Sequence, residues 1–417
     1  MMRLLILILL ALALLTPPAI GKIVSVCNDG CDYARMRDAI GASEEGDIVA
    51  AEGEFRESLH IAKPITIEGN ATIYHGMGPA IEISADGVVV RGLTFAGGYA
   101  GIVVRDARGV RIEGCRFLYQ FRGIEASWGS DVHIEGNEFE SIADTAIWLK
   151  HVASVEIEQN SFMNATTGLY LGRSSGNNVR GNSFYGYFHG VILEFANANL
   201  LEGNEFTRPY HEEVPAAPVA IRLQESSENI VRRNRVEGGN SFWLERSYGN
   251  EILMANASIS EAGTMDSEGN DFVFTHVNLT GKNILISIGN PALPEGYVGL
   301  SEAVKITVVP DLLTGEGYFS METSLDEMEM QGAGKELEWS SIAFYRRDGA
   351  MTRVSKEIDA NGRAAFATSE SGIYILAGTK KSGMPFELRW VLSVGAMAVL
   401  MILAFLVSRR VRGTSAR

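Results

Sequence analysis

The chain has 417 residues, of which 46% are hydrophobic and 21% are charged, and its formal net charge at pH 7 is −15. This composition is typical of a folded protein with two or three domains, which excludes a largely disordered chain. The acidic balance argues against nucleic acid as a partner, because phosphate binding requires a basic surface.

The first segment, residues 1–21, has the composition of a secretory signal. Arg3 precedes an apolar run from Leu4 to Leu15, and the small-residue motif Ala19-Ile20-Gly21 resembles a cleavage site. We therefore expect the mature chain to begin outside the cell. An uncleaved membrane anchor is the alternative reading.

Residues 22–46 are predicted to form an N-terminal cap. In an exported protein, Cys27 and Cys31 of VCNDGC are expected to form a disulfide, and a metal site is the alternative. The stretch CDYARMRDAIGAS predicts a short helix that covers the first coil of a repeat domain. Its apolar face would hold Tyr33, Met36 and Ile40.

A repeat occupies residues 47–297, with SDVHIEGNEF at 130–139 returning as ASVEIEQNSF at 153–162. Most repeats are 22 or 23 residues apart, and one 30-residue step holds an insertion at 207–218. The aligned asparagines are Asn137, Asn160, Asn182, Asn204, Asn234 and Asn256. We interpret them as structural residues that take the left-handed conformation at a corner and form an amide ladder along the stack.

Alternation of apolar and polar residues predicts two strands in each repeat. The strand before the asparagine would bury Val110 and Ile112, Val132 and Ile134, Val155 and Ile157, then Val179, Leu201, Val231 and Leu253. The second strand would bury Ile102 and Val104, Ile124 and Ala126, Ile147 and Leu149, Leu169 and Leu171, Val191 and Leu193, Ile221 and Leu223, and Phe242 and Leu244. A period near 22 residues with no room for a helix predicts a parallel β-helix of about eleven coils.

The other residues of the second strand are predicted to face outward in two columns. One column is Val103, Glu125, Trp148, Tyr170, Ile192, Arg222 and Trp243; the next is Arg105, Ser127, Lys150, Gly172, Glu194, Gln224 and Glu245. Aromatic rings on neighbouring coils form a platform that suits sugar rings. The candidate ligand-binding residues are Trp148, Lys150, Tyr170, Glu194, Arg222 and Trp243, together with Tyr210 and His211 of the insertion. In the alternative reading, the aromatics pack beneath a loop.

The strand before the asparagine displays three carboxylates in one outward column: Glu113, Glu135 and Glu158. Because like charges on adjacent coils repel, we expect that this column could bind Ca²⁺ through its carboxylates. A solvated acidic face without a bound ion is the alternative. We assign no catalytic residue. Glu194 and Glu245 lie two coils apart, about 9.6 Å by strand spacing, which only an inverting hydrolase could use.

The C-terminal part is predicted to attach the chain to a membrane. Residues 298–378 have the short alternating segments of a small β-sandwich, and a linker follows at 379–389. Residues 390–407 are apolar and uncharged, long enough to span a bilayer as a helix. The basic tail at 408–417 is expected in the cytosol, which predicts a single-pass plasma-membrane protein with an extracellular domain. Sequons at Asn70, Asn164 and Asn278 are candidate glycosylation sites, and a fourth at Asn256 coincides with the ladder.

The opening stretch from VCNDGC to IEGN, followed by coils ending in GNEF or GNSF, resembles a known family over residues 23 to about 290. It is similar to the right-handed parallel β-helix proteins of the carbohydrate-binding and sugar-hydrolase group, and most of all to the NosD-like periplasmic copper-binding branch and its archaeal surface relatives. The resemblance implies a right-handed β-helix and a copper-related role.

Three functional hypotheses follow from the residues and the resemblance. The first is a non-catalytic extracellular protein of the cell envelope that binds glycan or another envelope polymer, or has a structural role. The second is an accessory protein for metal handling or for maturation of an exported enzyme. The third is a polysaccharide lyase or hydrolase.

Overall fold

The computed structural model describes residues 21–381 except 209–217, 239, 254–260, 275–276, 290–291, 302, 310–315, 327–328, 331–332, 334–335 and 349. The predicted signal up to residue 20, the membrane span at 390–407 and the basic tail lie outside the described residues. Within the described part, no helix is both long and apolar enough to cross a membrane.

The N-terminal cap contains the predicted helix, at Met36–Ala42. Its buried residues are Met36, Ala39 and Ile40, and Tyr33 packs partly buried against the same core. A disulfide joins Cys27 to Cys31 across a Cα–Cα distance of 5.5 Å. The helix packs against the first strands, Ile23–Val26, Ile48–Phe55 and Leu59–Ile61, and the strand Thr66–Tyr74 follows them in the chain.

Each regular coil contributes three strands, not the two that the sequence pattern predicts. We name them the leading, middle and long strands, and each type pairs in parallel with its counterpart in the next coil. The leading strands are Val89–Arg91, Arg111–Glu113, His133–Glu135, Glu156–Glu158, Asn178–Arg180, Leu200–Glu202, Ile230–Arg232 and Glu251–Leu253. The middle strands are Thr94–Ala96, Arg116–Leu118, Glu138–Glu140, Ser161–Met163, Ser183–Tyr185, Glu205–Thr207 and Arg235–Glu237. The long strands are Leu59–Ile61, Pro79–Ile83, Ala100–Arg105, Arg122–Ser127, Thr145–Lys150, Thr167–Gly172, His189–Glu194, Val219–Gln224, Asn240–Glu245 and Glu261–Met265.

The predicted inward pairs of the long strands form the core. All fourteen residues of these seven pairs are at most 1% exposed, and the solenoid has about eleven coils, as predicted. The leading strands match the prediction except at the last coil, where Ile252 and not Leu253 is buried. Val231 pairs with Ile252, 21 residues on, so the coil is one residue shorter than the predicted step, and the prediction placed Leu253 on the wrong face of its strand.

The solenoid changes to antiparallel strands earlier than the predicted boundary at 298. Glu261–Met265 pairs antiparallel with Ile284–Gly289, and Asp271–Phe274 pairs with Val277–Lys282. The later strands are Tyr297–Gly299, Ala303–Val308, Tyr318–Ser324, Ala343–Arg347, Met351–Arg353, Arg363–Thr368 and Gly372–Thr379, with a 3₁₀ helix at Trp339–Ser341. Because these strands extend the solenoid's own sheets and core, a separate sandwich over 298–378 is not supported.

The asparagine ladder is present, but the residue that adopts the left-handed conformation at the corner is not the predicted one. The side chain of Asn160 donates to the Ile134 carbonyl at 2.8 Å and to Oδ1 of Asn182 at 3.0 Å. The left-handed conformation belongs to the residue before each asparagine, such as Gly136 with φ 63° and Gln159 with φ 54°. The asparagines are buried hydrogen-bonding residues, and the preceding residues make the turn. Asn256 lies outside the described residues.

A second asparagine ladder, not recognised in the sequence, lies at the corner before the leading strands. Its members are Asn177, Asn199, Asn229, Asn250 and Asn270, each at most 1% exposed. Their side-chain amides are linked from coil to coil by hydrogen bonds of 2.7–2.9 Å. Two buried ladders therefore satisfy the polar backbone groups at two of the corners of each coil.

The buried thiol of Cys115 leads to a chemical prediction. Cys115 takes the ladder position next to Asn137, whose Oδ1 accepts its backbone N–H at 2.9 Å, and the thiol is free and buried. Burial raises the pKa of the Cys115 thiol to about 12, so the reactive thiolate is scarce at pH 8. We expect iodoacetamide to leave the native protein unlabelled and to add one label in denaturant, as measured by intact mass. Labelling of the native protein at the unfolded rate would contradict this burial.

Candidate functional site

The outer face of the long strands holds the predicted aromatic platform. Trp148 and Tyr170 are paired in register on adjacent coils. Their rings stack with centroids 5.9 Å apart and an angle of 10° between the ring planes. Both side chains are half-buried, so each ring is supported by its neighbours and still presents a surface to solvent.

A cation lies over the Trp148 ring and is itself held in place. The Arg122 guanidinium is 4.7 Å from the Trp148 ring centroid. It donates to Asp144 at 2.8 Å and to Glu125 at 3.1 Å. The pKa of Arg122 is raised because these two hydrogen-bonded carboxylates outweigh the effect of its burial. The charged groups beside the platform therefore have fixed positions.

Glu194 is connected to the platform through the phenol of Tyr170. The Tyr170 hydroxyl donates to the Glu194 carboxylate, and burial together with this carboxylate raises the pKa of Tyr170. The phenol therefore stays neutral and acts as a donor. Gly172 leaves room for the ring, because a Cβ there would lie 2.6 Å from Tyr170 Cε1.

Trp243 and Arg222 belong to a different part of the same face. Trp243 is four coils from Trp148 along its column, about 19 Å at strand spacing. Arg222 donates to Glu245 at 2.9 Å, and Trp243 lines a pocket of about 200 Å³ with Gly263, Leu285, Lys305 and others. The structure thus divides the predicted site into two groups. Tyr210 and His211 lie outside the described residues.

Three buried polar groups lie on two neighbouring coils of the solenoid, those of His189 and Arg222. Within the described residues, the side-chain atoms Tyr187 Oη, His189 Nδ1 and Arg222 Nε have no hydrogen-bond partner. Burial and the nearby Arg222 charge both lower the pKa of His189. His189 is therefore expected to be neutral at physiological pH.

Two further stacked aromatic pairs flank the platform, and the sequence pattern did not identify them. Trp128 and His151, which follow consecutive long strands, stack at a centroid distance of 4.0 Å. Tyr99 and Phe121, which precede long strands, stack at 5.5 Å. Trp128 is 65% exposed. The available signal was the recurrence of large aromatics directly beside the long strands.

Family models match the coils that carry this face. Residues 55–184 match the model described as the right handed beta helix region. Residues 122–275 match the model of the periplasmic copper-binding protein NosD. The chain is a right-handed β-helix protein that is similar to NosD over residues 122–275. No curated protein shows significant sequence similarity to it.

Solved structures are similar to this chain at low identity. DFA-IIIase from Arthrobacter chlorophenolicus A6 is 14% identical, with a TM-score of 0.41 over 58% of this chain and 62% of that enzyme. This NosD-like chain thus spans less than two thirds of the enzyme's length. The catalytic domain of a GH87 alpha-1,3-glucanase is 11% identical, with a TM-score of 0.35 over 61% of this chain and 65% of that domain. The periplasmic alginate epimerase AlgG is 14% identical, with a TM-score of 0.34 over 55% and 70% of the two chains.

The acidic column of the NosD-like chain is in register, as predicted, but its charges are mostly paired. Glu135 lies between Glu113 and Glu158. Glu113 pairs with Arg111 at 2.6 Å, and Glu158 lies 3.9 Å from Arg180. Across the described part of the chain, no three His, Cys, Asp or Glu side chains are placed to hold a metal ion together.

Copper is implied by the NosD model, and the described His, Cys, Asp and Glu side chains form no cluster that fits a copper site. Copper favours His, Cys and Met ligands. His133 contacts Glu156 at 3.0 Å, His151 stacks on Trp128, and the Cys115 thiol is buried. No mechanistic step is therefore assigned to copper in this chain.

The three candidate glycosylation sites are accessible. Asn70, Asn164 and Asn278 are all exposed. Glycosylation of these sites stays a prediction. The fourth sequon, at Asn256, lies outside the described residues.

Proposed function

We propose that this protein is an exported component of the cell envelope that binds glycan on the outer face of its long strands. The Trp148–Tyr170 stack carries the proposal. Export and attachment to the membrane are part of the proposal and rest on the sequences of residues 1–21 and 390–407. On this view the described solenoid lies outside the plasma membrane and presents the face to envelope polymers.

The chemistry of the platform suits a sugar ring. A pyranose presents a flat C–H surface that packs against an aromatic ring, and its hydroxyls require donors and acceptors at the edge. Trp148 and Tyr170 supply nearly coplanar rings. Arg122 and Glu194 supply charged groups whose positions are fixed by other residues. Such preorganisation lowers the entropy cost of binding.

The carboxylates of this face support binding over cleavage. Glu125 and Asp144 both accept hydrogen bonds from Arg122, and Glu194 accepts a hydrogen bond from the Tyr170 phenol. Glu245 is 8% exposed and pairs with both Arg222 and Arg246 at 2.9 Å. A hydrolase needs one carboxylic acid and one free carboxylate across the scissile bond. We therefore propose a non-catalytic role, and a reducing-sugar assay with the purified protein tests it.

Replacing Trp148 and Tyr170 together by alanine is expected to abolish glycan binding. The inward neighbours Ile147 and Leu169 stay in place, so the solenoid should remain folded. Binding is measured on a glycan array with the purified full-length protein, followed by titration of each hit. A loss of more than tenfold in affinity is the expected result.

The matched control is Tyr185→Ala. Tyr185 is 44% exposed on a middle strand, so its loss removes an exposed ring outside the long-strand face. We expect this variant to bind glycan as the parent does. Equal losses in the control and the double variant, or normal binding by the double variant, would contradict the proposed site.

The NosD match favours a second candidate function, that of an accessory protein for metal handling or for maturation of an exported enzyme. This candidate predicts that the purified protein shows no glycan hits and that elemental analysis finds bound copper. Glycan binding that depends on Trp148 and Tyr170, with no metal content, would favour the first proposal.

A further inference from the structure

One corner of the solenoid carries an exposed column of large side chains. Trp128, His151, Arg173 and Phe195 each directly follow a long strand, and backbone hydrogen bonds place them on successive coils. Trp128 stacks on His151, and the Arg173 guanidinium lies 5.0 Å from the Phe195 ring centroid. The column is continuous with the platform, because Lys150 precedes His151 and its Nζ lies 5.8 Å from the Trp148 ring centroid.

The backbone at this corner is unfavourable for such residues. The φ angles are 60° at Trp128, 55° at His151, 50° at Arg173 and 51° at Phe195. Glycine takes this left-handed conformation at little cost, whereas bulky side chains do so at a penalty. Other corners of the solenoid adopt it with both glycine and non-glycine residues, such as Gly136 with φ 63° and Gln159 with φ 54°. The left-handed turn therefore recurs along the solenoid, and at this corner it carries exposed aromatic and basic side chains.

The two cations of this corner are not paired with carboxylates, unlike many arginines of the solenoid. Within the described residues, neither Lys150 nor Arg173 has a carboxylate ion-pair partner, and each lies beside an aromatic ring instead. Arginines that do pair with a carboxylate are Arg91, Arg105, Arg111, Arg116, Arg122, Arg180, Arg222, Arg232, Arg233, Arg235 and Arg246. In a chain with a net charge of −15, these two cations beside an aromatic surface remain available to an anionic ligand.

The neighbouring carboxylates form their hydrogen bonds with other residues. Glu125 is engaged with Arg122, and Glu194 accepts the hydrogen bond of Tyr170. The cations are accessible, because Arg173 is exposed and Lys150 is half-buried. An anionic group placed over this corner would meet two positive charges next to rings that can pack against a sugar.

We propose that Trp128, His151, Lys150 and Arg173 form a subsite for an anionic sugar unit of the glycan. This inference rests on the proposed function and narrows its ligand to acidic glycans. The shared chemistry is a negatively charged oxygen group on a pyranose, carried as a carboxylate or as a sulfate. Arg173 offers a planar fork of donors for either group, and Lys150 adds a point charge.

The test begins with an array of neutral, uronate-containing and sulfated oligosaccharides of equal length, probed with the purified full-length protein. Acidic hits with weak or absent neutral counterparts are expected, and comparison of the uronate and sulfate arms identifies the anionic group. Their affinity should fall as NaCl is raised, because salt screens exposed charges. Exclusively neutral hits would overturn the subsite and leave the proposed function standing. An array without hits would overturn both.

Variants that remove the charge of Lys150 or Arg173 then test whether these side chains bind the acidic glycan. Lys150→Gln and Arg173→Gln are each expected to weaken the acidic hit about tenfold, as charge-assisted hydrogen bonds are lost, and to reduce its salt dependence. Arg105→Gln is the matched control, because Arg105 lies in the same outward column as Lys150 but pairs with Glu82 at 2.9 Å. The control should bind as the parent does. Unchanged acidic binding in both corner variants, or an equal loss in the control, would overturn the subsite.

Trp128→Gly tests the aromatic part of the subsite. Glycine suits the φ of 60° at this position. The melting temperature of the variant should therefore lie within a few degrees of that of the parent. Its affinity for the acidic hit should nevertheless fall about tenfold through loss of the stacking surface. A folded variant with parental affinity would exclude Trp128 from the subsite.

Discussion

Replacing Asn182 by alanine is expected to lower the free energy of unfolding by about 3–6 kcal/mol. Asn182 donates to the Ile157 carbonyl at 2.8 Å and to Oδ1 of Asn204 at 3.0 Å. Its own Oδ1 accepts the backbone N–H and the side-chain amide of Asn160 at 2.9 and 3.0 Å. Alanine would leave several of these buried groups without a partner, and each such group costs about 1–3 kcal/mol. Urea denaturation followed by circular dichroism measures the loss.

Asn178→Ala is the matched control in the same coil. Asn178 is half-buried at an outward position of its leading strand, so its truncation should change the stability by no more than about 0.5 kcal/mol. Similar midpoints for the two variants would show that the ladder adds little. A large loss confined to Asn182 would support the buried hydrogen bonds as a main determinant of the solenoid's stability.

The architecture was largely predictable from the sequence because burial in a parallel solenoid repeats with period two. Ile147 and Leu169 lie in register on adjacent coils, and a fixed repeat length places each inward residue above the last. The prediction became wrong where the length changed, and Leu253 was assigned to the core in place of Ile252. A shift of one residue in a strand exchanges its two faces.

The backbone conformation at the corners was less predictable from the sequence than the inward or outward direction of the strand residues. Asparagine is common both in left-handed turns and in buried ladders, and the sequence alone does not separate these roles. The structure places the left-handed turn at Gln159 and buries Asn160. The middle strand was also missed, because only one of its residues faces inward, such as Phe139. The leading strands continue an alternation that begins one residue earlier, as at Val132 and Ile134.

The candidate site was predictable only in part. Trp148 and Tyr170 follow from the alternation of their own strands. Trp128 and His151 lie at corners, where no alternation applies, and their stacking depends on the left-handed backbone. The contact of Arg122 with Asp144 joins neighbouring coils, and side-chain directions of this kind are set by packing and not by spacing.

Phe184→Ala is expected to lower the free energy of unfolding by about 3–5 kcal/mol, because it opens a cavity inside the solenoid. Phe184 is fully buried. Its ring lies 4.5 Å from that of Phe162 and 4.6 Å from that of Phe206, centroid to centroid. The long strands leave space for this stack, since a Cβ at Gly168 would lie 2.5 Å from Phe184 Cδ1. Thermal and urea denaturation measure the change.

Two further variants determine whether the ring stack itself carries this stability. Phe184→Leu keeps most of the buried volume and should cost less than alanine, about 1–2 kcal/mol. Tyr185→Ala removes the adjacent ring, which is 44% exposed, and should change stability by at most about 0.5 kcal/mol. If Phe184→Ala and Tyr185→Ala were equally stable, the stacked phenylalanines could not be a main source of cohesion between coils. A graded loss from Tyr185→Ala through Phe184→Leu to Phe184→Ala would show that packing inside the stack holds neighbouring coils together, which the binding face on the long strands requires.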